Sequence, residues 1–231
     1  MIMNGVFLDW SFSIPEQIKP IFIGFHASEE TIFKFLHYFI RHQPIGCRDS
    51  ATVQIFQRYN IDAFVSGCIT MSLPRRKSEP EDGRVLVVYG GTYASGAGDF
   101  PTSALKTIPL GHFDTMEFIY HRLPVSNYPL DADQILKIER YSNSLLKYYE
   151  ERARLVITSL HHAAAPCLAL GIPVVICRTK MDSRFSFLSE ITPVYTPPQF
   201  SDINWNPEPV DVDHIRMKIV NLVSEFLDPY R

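Results

Sequence analysis

The sequence predicts an α/β protein with two parallel sheets, each covered by helices. Strand patterns alternate with helix patterns along most of the 231 residues, as in chains whose parallel strands are joined by crossover helices. A charged, proline-containing stretch at residues 74–84 interrupts the alternation, and a second series of strands and helices follows it. We therefore predict two domains, residues 1–78 and residues 79–231, the second of which ends in a helix.

The first predicted domain contains a βαβαβ pattern. An apolar strand pattern at residues 18–27 precedes a helix at residues 29–42, where apolar residues recur at helical spacing. The short strand in "QPIGCRD" ends at Asp49, which is placed to cap a helix at residues 51–59. A further strand is predicted at residues 62–73. Such a series favours a parallel sheet.

The second predicted domain repeats this alternation. The apolar run at residues 85–91 predicts its first strand, and Asp131 is placed to cap a long helix that reaches Tyr149. "RLVITS" and "IPVVIC" predict two more strands, with the helix "AAPCLALG" between them. The amphipathic pattern at residues 210–227 predicts the terminal helix.

Composition excludes several classes of protein. With 22 basic and 25 acidic side chains and a net charge of -3, the chain lacks the basic excess of nucleic-acid-binding proteins. The first ten residues, "MIMNGVFLDW", do not resemble a signal peptide. No apolar run approaches the roughly 20 residues that a membrane helix needs. A cytoplasmic protein is therefore predicted.

The common catalytic and metal-binding motifs are absent from the sequence. The four cysteines are far apart and form no C-x-x-C pair, so buried thiols are predicted. There is no H-E-x-x-H motif and no G-x-S-x-G elbow. The glycine-rich stretch at residues 89–99 lacks the spacing of a phosphate-binding loop and predicts an ordinary loop. A transfer reaction that needs no metal fits this pattern better than hydrolysis.

Polar residues follow the predicted strands in both domains. In open parallel sheets, ligands bind at the carboxyl ends of the strands. The residues at such ends are His26, Arg48, Asp49, Ser66, His121, Ser159, His161 and His162. The two adjacent histidines begin a helix, where free backbone N–H groups attract anions and where a histidine can exchange protons near neutral pH. A buried histidine bonded to backbone carbonyls is the alternative interpretation of either one.

Two separated segments resemble the polysaccharide pyruvyl transferase family. They are "PIGCRDSATVQIFQRYNIDAFVSGCITMSL" and "YYEERARLVITSLHHAAAPCLALGIPVVI", and similarity extends to the start of the chain and to "INWNPEPVDVD". The resemblance implies two Rossmann-like domains in a GT-B-like pair. It also implies transfer of a pyruvyl group from phosphoenolpyruvate to a sugar hydroxyl in the biosynthesis of cell-surface polysaccharide.

The resemblance implies roles for individual residues. Arg48 matches the arginine of the family's "RD" segment and would hold an anion. His162, four residues before Pro166, matches the histidine of an arginine-leucine-histidine motif and would act as acid or base. Arg184 would be a further cationic contact with the donor. The remaining residues implied to bind substrate are His26, Ser66, His121, Ser159 and His161.

The resemblance also implies the partners of the chain. Phosphoenolpyruvate would be the anionic donor substrate, so neither a cofactor nor a metal is expected. The other substrate would be a saccharide, free or lipid-linked, and no nucleic acid is expected. The first domain is short for the family, so a second copy of the chain in a homo-oligomer, or another chain segment, would cover its strand edges.

One departure from the family pattern leaves other functions open. Leu160 stands where the motif has its arginine. The second hypothesis is therefore a glycosyltransferase that uses a nucleotide-sugar donor. The same fold can support that reaction, because fold does not determine function. The third hypothesis is a non-catalytic saccharide-binding relative.

Overall fold

The computed structural model describes residues 1–90, 100–122 and 129–227. The chain divides into two compact units. Unit 1 comprises Met1–Leu73, Asp182–Ile191 and Val212–Arg231, and unit 2 comprises Pro74–Met181 and Thr192–Asp211. The sequence placed the terminal helix with the second domain, whereas in the structure it belongs to unit 1. Of the predicted glycine-rich loop at residues 89–99, residues 91–99 lie outside the described residues.

Strands and helices alternate as predicted. The strands are β1 Ile2–Phe7, β2 Ile21–Ala27, β3 Ile45–Cys47, β4 Ala63–Val65, β5 Arg84–Tyr89, β6 Met116–Tyr120, β7 Ala153–Thr158, β8 Val174–Cys177 and β9 Val194–Tyr195. The α-helices are α1 Glu29–Lys34, α2 Leu36–Arg41, α3 Ser50–Arg58, α4 Thr102–Leu105, α5 Ala132–Arg152, α6 His161–Ala169, α7 Ser186–Ser189 and α8 Asp213–Leu227.

Each unit contains one parallel sheet. The strands of unit 1 lie in the order β1-β2-β3-β4, and those of unit 2 in the order β6-β5-β7-β8-β9. Every pair of neighbouring strands in both sheets is parallel. The prediction of an α/β protein with two parallel sheets and a C-terminal helix is thereby confirmed. The GT-B-like pairing of the two domains stays a prediction.

Aromatic rings form the core of unit 1. Phe39 is fully buried, and its ring centre lies 4.9 Å from Phe56 and 5.4 Å from Phe25. Phe12 and Phe22 add further ring contacts to this cluster. Edge-to-face packing of this kind stabilises a core beyond the burial of apolar area alone. The cluster joins β2 to the helices on one face of the sheet.

The predicted helix at residues 29–42 is divided in the structure. Phe35 leaves helical geometry, with φ -114° and ψ 26°, and separates α1 from α2. Its ring stacks on Phe12 with centroids 4.6 Å apart. The packing of this ring accompanies the break between α1 and α2. The continuous apolar pattern did not predict the break, because tertiary packing can override helix propensity.

Two helix starts are as predicted from the sequence. The Asp49 side chain accepts a hydrogen bond from the backbone N of Thr52 and caps α3. The Asp131 side chain accepts a hydrogen bond from the backbone N of Gln134, and Oε1 of Gln134 accepts one from the backbone N of Asp131. This capping box begins α5. These bonds satisfy N–H groups that have no partner inside the helix.

The charged stretch at residues 74–84, which interrupts the alternation of strands and helices, belongs to unit 2, and its Arg76 is buried there. Arg76 is 7% exposed, and its Nη1 donates to the carbonyl oxygen of Ala153 at 2.5 Å. Gly171, which follows α6, has φ +72°, and a Cβ there would lie 2.8 Å from Nε of Arg75. Both contacts hold residues 75–76 against the α6 and β7 region.

Among the described helices, none combines the length and the apolar character needed to cross a membrane.

Candidate active site

Three of the predicted residues lie side by side at the carboxyl edge of the unit 1 sheet. Phe25 pairs with Cys47, and Cys47 with Val65, so the next residue of each strand falls in one row. That row consists of His26, Arg48 and Ser66. The backbone N of Arg48 donates to the oxygen of Phe25 at 2.8 Å, and that of Ser66 donates to the oxygen of Cys47 at 2.9 Å. Parallel register alone therefore brings residues from three chain segments together.

Arg48 is a buried cation without a hydrogen-bond partner for its Nε. Arg48 is 3% exposed, and no described residue accepts a hydrogen bond from its Nε. Burial lowers the pKa of the guanidinium, and Arg184 lowers it further, whereas Cys68 and Asp49 act in the opposite direction. Arginine remains protonated under these influences. A buried guanidinium with an open donor is suited to bind an anion, because a buried polar group left unbonded costs free energy.

Arg184 contributes a second positive charge to the same unit. It lies in the 3-10 helix Ser183–Phe185, and it donates to Asp182 from Nε at 3.2 Å and from Nη2 at 3.0 Å. The carboxylate of Asp182 therefore occupies the fork of Arg184 and neutralises part of its charge. Its effect on the pKa of Arg48 shows that the two cations influence one another.

His26 is part of a hydrogen-bonded group with two residues of the following helix. Its Nδ1 lies 2.8 Å from Oδ2 of Asp49 and 2.8 Å from Oγ1 of Thr52. Burial raises the pKa of the Asp49 carboxyl, but hydrogen bonds from His26 and Thr52 outweigh burial and leave the pKa below its usual value. Asp49 is therefore a buried carboxylate. The sequence predicts it as a helix cap and as a polar residue at a strand end, but not as a partner of His26.

The hydroxyl of Ser66 is engaged with the backbone of three neighbouring segments. Its Oγ accepts from the backbone N of Gly24 at 2.8 Å and lies within 3.2 Å of the carbonyl oxygens of Cys47 and Gly67. The residue is 2% exposed. These bonds tie the carboxyl ends of β2, β3 and β4 together. Substrate contact by this hydroxyl stays a prediction.

The two adjacent histidines of unit 2 have different environments. Both begin α6, directly after Ser159 and Leu160. His161 is 6% exposed, whereas His162 is exposed, and their ring centres are 5.7 Å apart. Leu160 is the N-cap residue and provides no capping side chain. Of the pair, His162 is therefore the one whose imidazole can meet a substrate without rearrangement of the core.

Arg178 is a buried arginine at this edge that the sequence interpretation did not include. It follows β8, is 3% exposed, and donates from Nη1 to the carbonyl oxygen of Ser159 at 2.8 Å. Its Nε donates to the oxygen of Lys180 at 3.3 Å. Because Arg178 directly follows a predicted strand, as Arg48 does, the same rule applied to "IPVVICR" would have found it.

His121 lies away from the histidine pair within the unit 2 sheet. It follows β6, and its backbone N donates to Tyr89, whereas Ser159 follows β7 on the other side of β5. Its Nδ1 is 3.5 Å from the hydroxyl of Tyr149. Burial lowers the pKa of His121. It is therefore a half-buried imidazole that is neutral near neutral pH.

The family follows from the sequence profile that matches the chain. The profile of the polysaccharide pyruvyl transferase family matches residues 10–180, which is most of the chain. The chain belongs to the polysaccharide pyruvyl transferase family. Members of this family are transferases, so the predicted family and the predicted enzyme class are both confirmed. The match covers the carboxyl ends of β2, β3, β4, β6 and β7, and Arg184 lies beyond it.

Comparison with individual proteins adds less. No curated protein matches the chain. One solved structure to which this pyruvyl transferase family member is similar is described as a UDP-N-acetylglucosamine 2-epimerase from Listeria monocytogenes. The identity is 11%, the alignment covers 90% of this chain and 68% of that one, and the TM-score is 0.40.

The cysteines of this pyruvyl transferase family member are all free and buried, as predicted. Burial raises the pKa of the Cys177 thiol to about 12, which keeps it protonated near neutral pH. Within the described ranges, no group of three or more histidine, cysteine, aspartate or glutamate residues is placed to hold a metal ion. The candidate chemistry therefore rests on the arginines, histidines and Asp49.

Proposed function

We propose that this member of the polysaccharide pyruvyl transferase family transfers a pyruvyl group from phosphoenolpyruvate to a saccharide hydroxyl in the biosynthesis of a cell-surface polysaccharide. The observation that carries the proposal is the buried Arg48 guanidinium, whose Nε has no hydrogen-bond partner among the described residues. Phosphoenolpyruvate carries a phosphate and a carboxylate, both of which accept hydrogen bonds from arginine in planar geometry.

The charges around Arg48 favour a dianionic donor. Arg184 raises the local positive potential, although Asp182 engages its fork. An anion that accepts from Arg48 would relieve the cost of burying an unbonded cation. We assign Arg48 and Arg184 to the donor and His162 to proton transfer. Roles in substrate binding are proposed for His26, Ser66, His121, Ser159 and His161.

Binding of phosphoenolpyruvate to the full chain tests the donor assignment. We expect it to raise the melting temperature, and we expect Arg48→Met to weaken binding roughly 10- to 150-fold, because a charge-assisted hydrogen bond contributes about 1.5–3 kcal/mol. Methionine removes the charge and keeps an unbranched apolar chain, so the variant should fold at least as stably as the wild type. Calorimetric titration with phosphoenolpyruvate measures the loss.

A matched control separates this effect from general loss of positive charge. Arg41 lies on α2, and its side chain is 65% exposed, so Arg41→Met should bind phosphoenolpyruvate as the wild type does. If a nucleotide-sugar stabilises the protein and phosphoenolpyruvate does not, the donor assignment is wrong and the chain is a glycosyltransferase. Stabilisation by saccharides alone would identify a non-catalytic binding protein. Release of phosphate from phosphoenolpyruvate in the presence of a saccharide panel then tests turnover.

A further inference from the structure

The side chains of Asp49 and Thr52 hold one nitrogen of the His26 ring. Nδ1 of His26 lies 2.8 Å from both Oδ2 of Asp49 and Oγ1 of Thr52. Thr52 is also bound to the other oxygen of the same carboxylate, through its backbone N at 2.8 Å and its hydroxyl at 3.0 Å. Asp49 and Thr52 are fully buried, so water does not compete for these bonds.

The network determines which nitrogen of His26 carries the proton. An ionised carboxylate only accepts hydrogen bonds, so the Thr52 hydroxyl must donate its single proton to Oδ1 of Asp49. Both oxygens that face Nδ1 are therefore acceptors. Nδ1 must be the donor, and the neutral ring carries its proton there. Nε2 is then left with a lone pair.

Capping of α3 does not account for this arrangement. The cap needs one oxygen, and Oδ1 of Asp49 supplies it to the backbone N of Thr52. Serine, threonine or asparagine would cap the helix comparably. Oδ2 is directed to His26 instead. A carboxylate at this position can cap the helix with one oxygen and bind the imidazole with the other. Serine, threonine and asparagine can cap the helix, but they bring no negative charge to the imidazole.

The open side of His26 faces away from this network. Its side chain is 21% exposed, and in the part of the chain that the structure describes no residue hydrogen-bonds Nε2. His26 stands in the same sheet-edge row as Arg48, one strand away. An imidazole with a fixed tautomer, an accessible Nε2 and a neighbouring cation is the arrangement expected of a general base that acts beside a bound anion.

We propose that His26 is a catalytic base whose Nε2 takes the proton of the acceptor hydroxyl, and that Asp49 and Thr52 are its positioning residues. This role rests on the proposed pyruvyl transfer. The acceptor oxygen bonds to C2 of phosphoenolpyruvate, the C2–C3 double bond becomes single, and C3 gains a proton from a general acid. The hydroxyl proton passes to Nε2, and the imidazolium is stabilised by the carboxylate of Asp49. Loss of phosphate from C2 leaves an oxocarbenium ion, to which a second saccharide hydroxyl adds. The proton of that hydroxyl leaves with the phosphate, and the imidazolium returns its own proton to solvent.

The tautomer of His26 tests the positioning role without any substrate. Nitrogen-15 NMR of the histidine-labelled full chain distinguishes a protonated Nδ1 from a protonated Nε2. We expect the neutral His26 ring of the wild type to carry its proton on Nδ1. Asp49→Asn places an amide at the same position, whose NH₂ group can donate to Nδ1, and should shift the population towards the Nε2-protonated form. A wild-type ring protonated at Nε2, or an unchanged tautomer in Asp49→Asn, would overturn the proposal.

Two further variants keep the test decisive. Asp131→Asn makes the same chemical change at the N-cap of α5 and should leave the His26 tautomer unchanged. Thr52→Val removes one acceptor but keeps the carboxylate, so Nδ1 should remain protonated. If Asp49→Asn fails to fold, the wild-type spectrum and Thr52→Val still decide the tautomer.

Turnover separates this inference from the proposed function. We expect His26→Asn to lower kcat by roughly 100-fold or more, with a smaller change in KM for phosphoenolpyruvate, which is the size of a general-base contribution. Asp49→Asn should lower kcat in the same way, and His37→Asn, at an exposed position of α2, should not. If the wild type shows no turnover but its His26 ring is protonated at Nδ1, pyruvyl transfer is refuted and the positioning of His26 is not. Full turnover by His26→Asn would refute the catalytic role of His26 and leave the transferase assignment intact.

Discussion

The guanidinium of Arg178 donates from Nη1 to the carbonyl oxygen of Ser159 across a distance of 2.8 Å. This bond joins the residue after β8 to the residue after β7, which is separated from the histidine pair by Leu160 alone. Both residues are almost completely buried, Arg178 at 3% and Ser159 at 1% exposure. The backbone that leads into α6 is therefore held by a side chain from the neighbouring strand.

Replacement of Arg178 is expected to destabilise the protein. Arg178→Met removes this buried hydrogen bond from a charged donor, and hydrogen bonds to charged groups contribute about 1.5–3 kcal/mol. Urea unfolding monitored by circular dichroism measures the change. Arg140→Met, at an exposed position of α5, is the control and should alter the free energy of unfolding by less than about 0.5 kcal/mol. Equal stability of the two variants would show that the bond contributes nothing.

Alanine at Gly67 is expected to disturb the edge of the unit 1 sheet. The backbone there has φ +71°, and a Cβ would lie 2.3 Å from Cζ of Phe187. The left-handed conformation and the ring contact together should cost at least about 2 kcal/mol. Gly111→Ala is a matched control, because no atom lies within 4 Å of the Cβ it would introduce. Thermal unfolding should separate the two variants, and identical melting temperatures would contradict the expectation.

Protonation of His121 is expected to make the protein less stable as the pH falls. Burial lowers the pKa of this imidazole from its ordinary value of 6.5, so the unfolded chain binds the proton more readily than the folded one. The stability that the neutral ring provides is present above about pH 6.5 and is lost as the pH falls from there through the folded pKa. The slope contributed by one such group is at most about 1.4 kcal/mol per pH unit.

The dependence on His121 is measured by urea unfolding at several values between about pH 5 and pH 8. His121→Gln should flatten the rise of stability with pH across this range, whatever its effect on absolute stability. His37→Gln, at an exposed position, should keep the wild-type slope. An unchanged slope in His121→Gln would mean that this ring does not titrate differently on folding.

Truncation of Phe39 is expected to cause a large loss of stability. The ring is fully buried against Phe25 and Phe56, and removal of a buried aromatic side chain typically costs about 3–5 kcal/mol. Phe33→Ala is the comparison, because Phe33 is 62% exposed on α1. Calorimetric unfolding should show a much lower melting temperature for Phe39→Ala only. Similar losses for both would mean that the aromatic cluster does not dominate the core of unit 1.

The positions of residues at strand ends and helix starts could be predicted from the sequence. Arg48 and Asp49 follow an apolar run and precede a capped helix, and both local features are present in the structure. The rule that polar residues at strand ends gather at one edge placed His26, Arg48 and Ser66 correctly in one row. It would also have found Arg178.

Contacts between distant residues could not be predicted. His26 and Asp49 are 23 positions apart, and their bond depends on the register of β2 against β3 and on the rotamers of both side chains. The break at Phe35 is accompanied by stacking of its ring on Phe12, which belongs to another segment. Neither fact leaves a periodic signal in the sequence, because each arises from packing of the finished fold.

The sequence by itself determined the α/β class, the parallel sheets, the helix caps and the family, because strand and helix periodicity, capping residues and motif order are local properties of the chain. Only the tertiary structure decided that Nε of Arg48 is buried without a partner among the described residues, that Asp49 bonds His26 as well as capping its helix, and that α8 belongs to unit 1. Those facts depend on distance, burial and hydrogen-bond geometry, which exist only after separate segments have packed together.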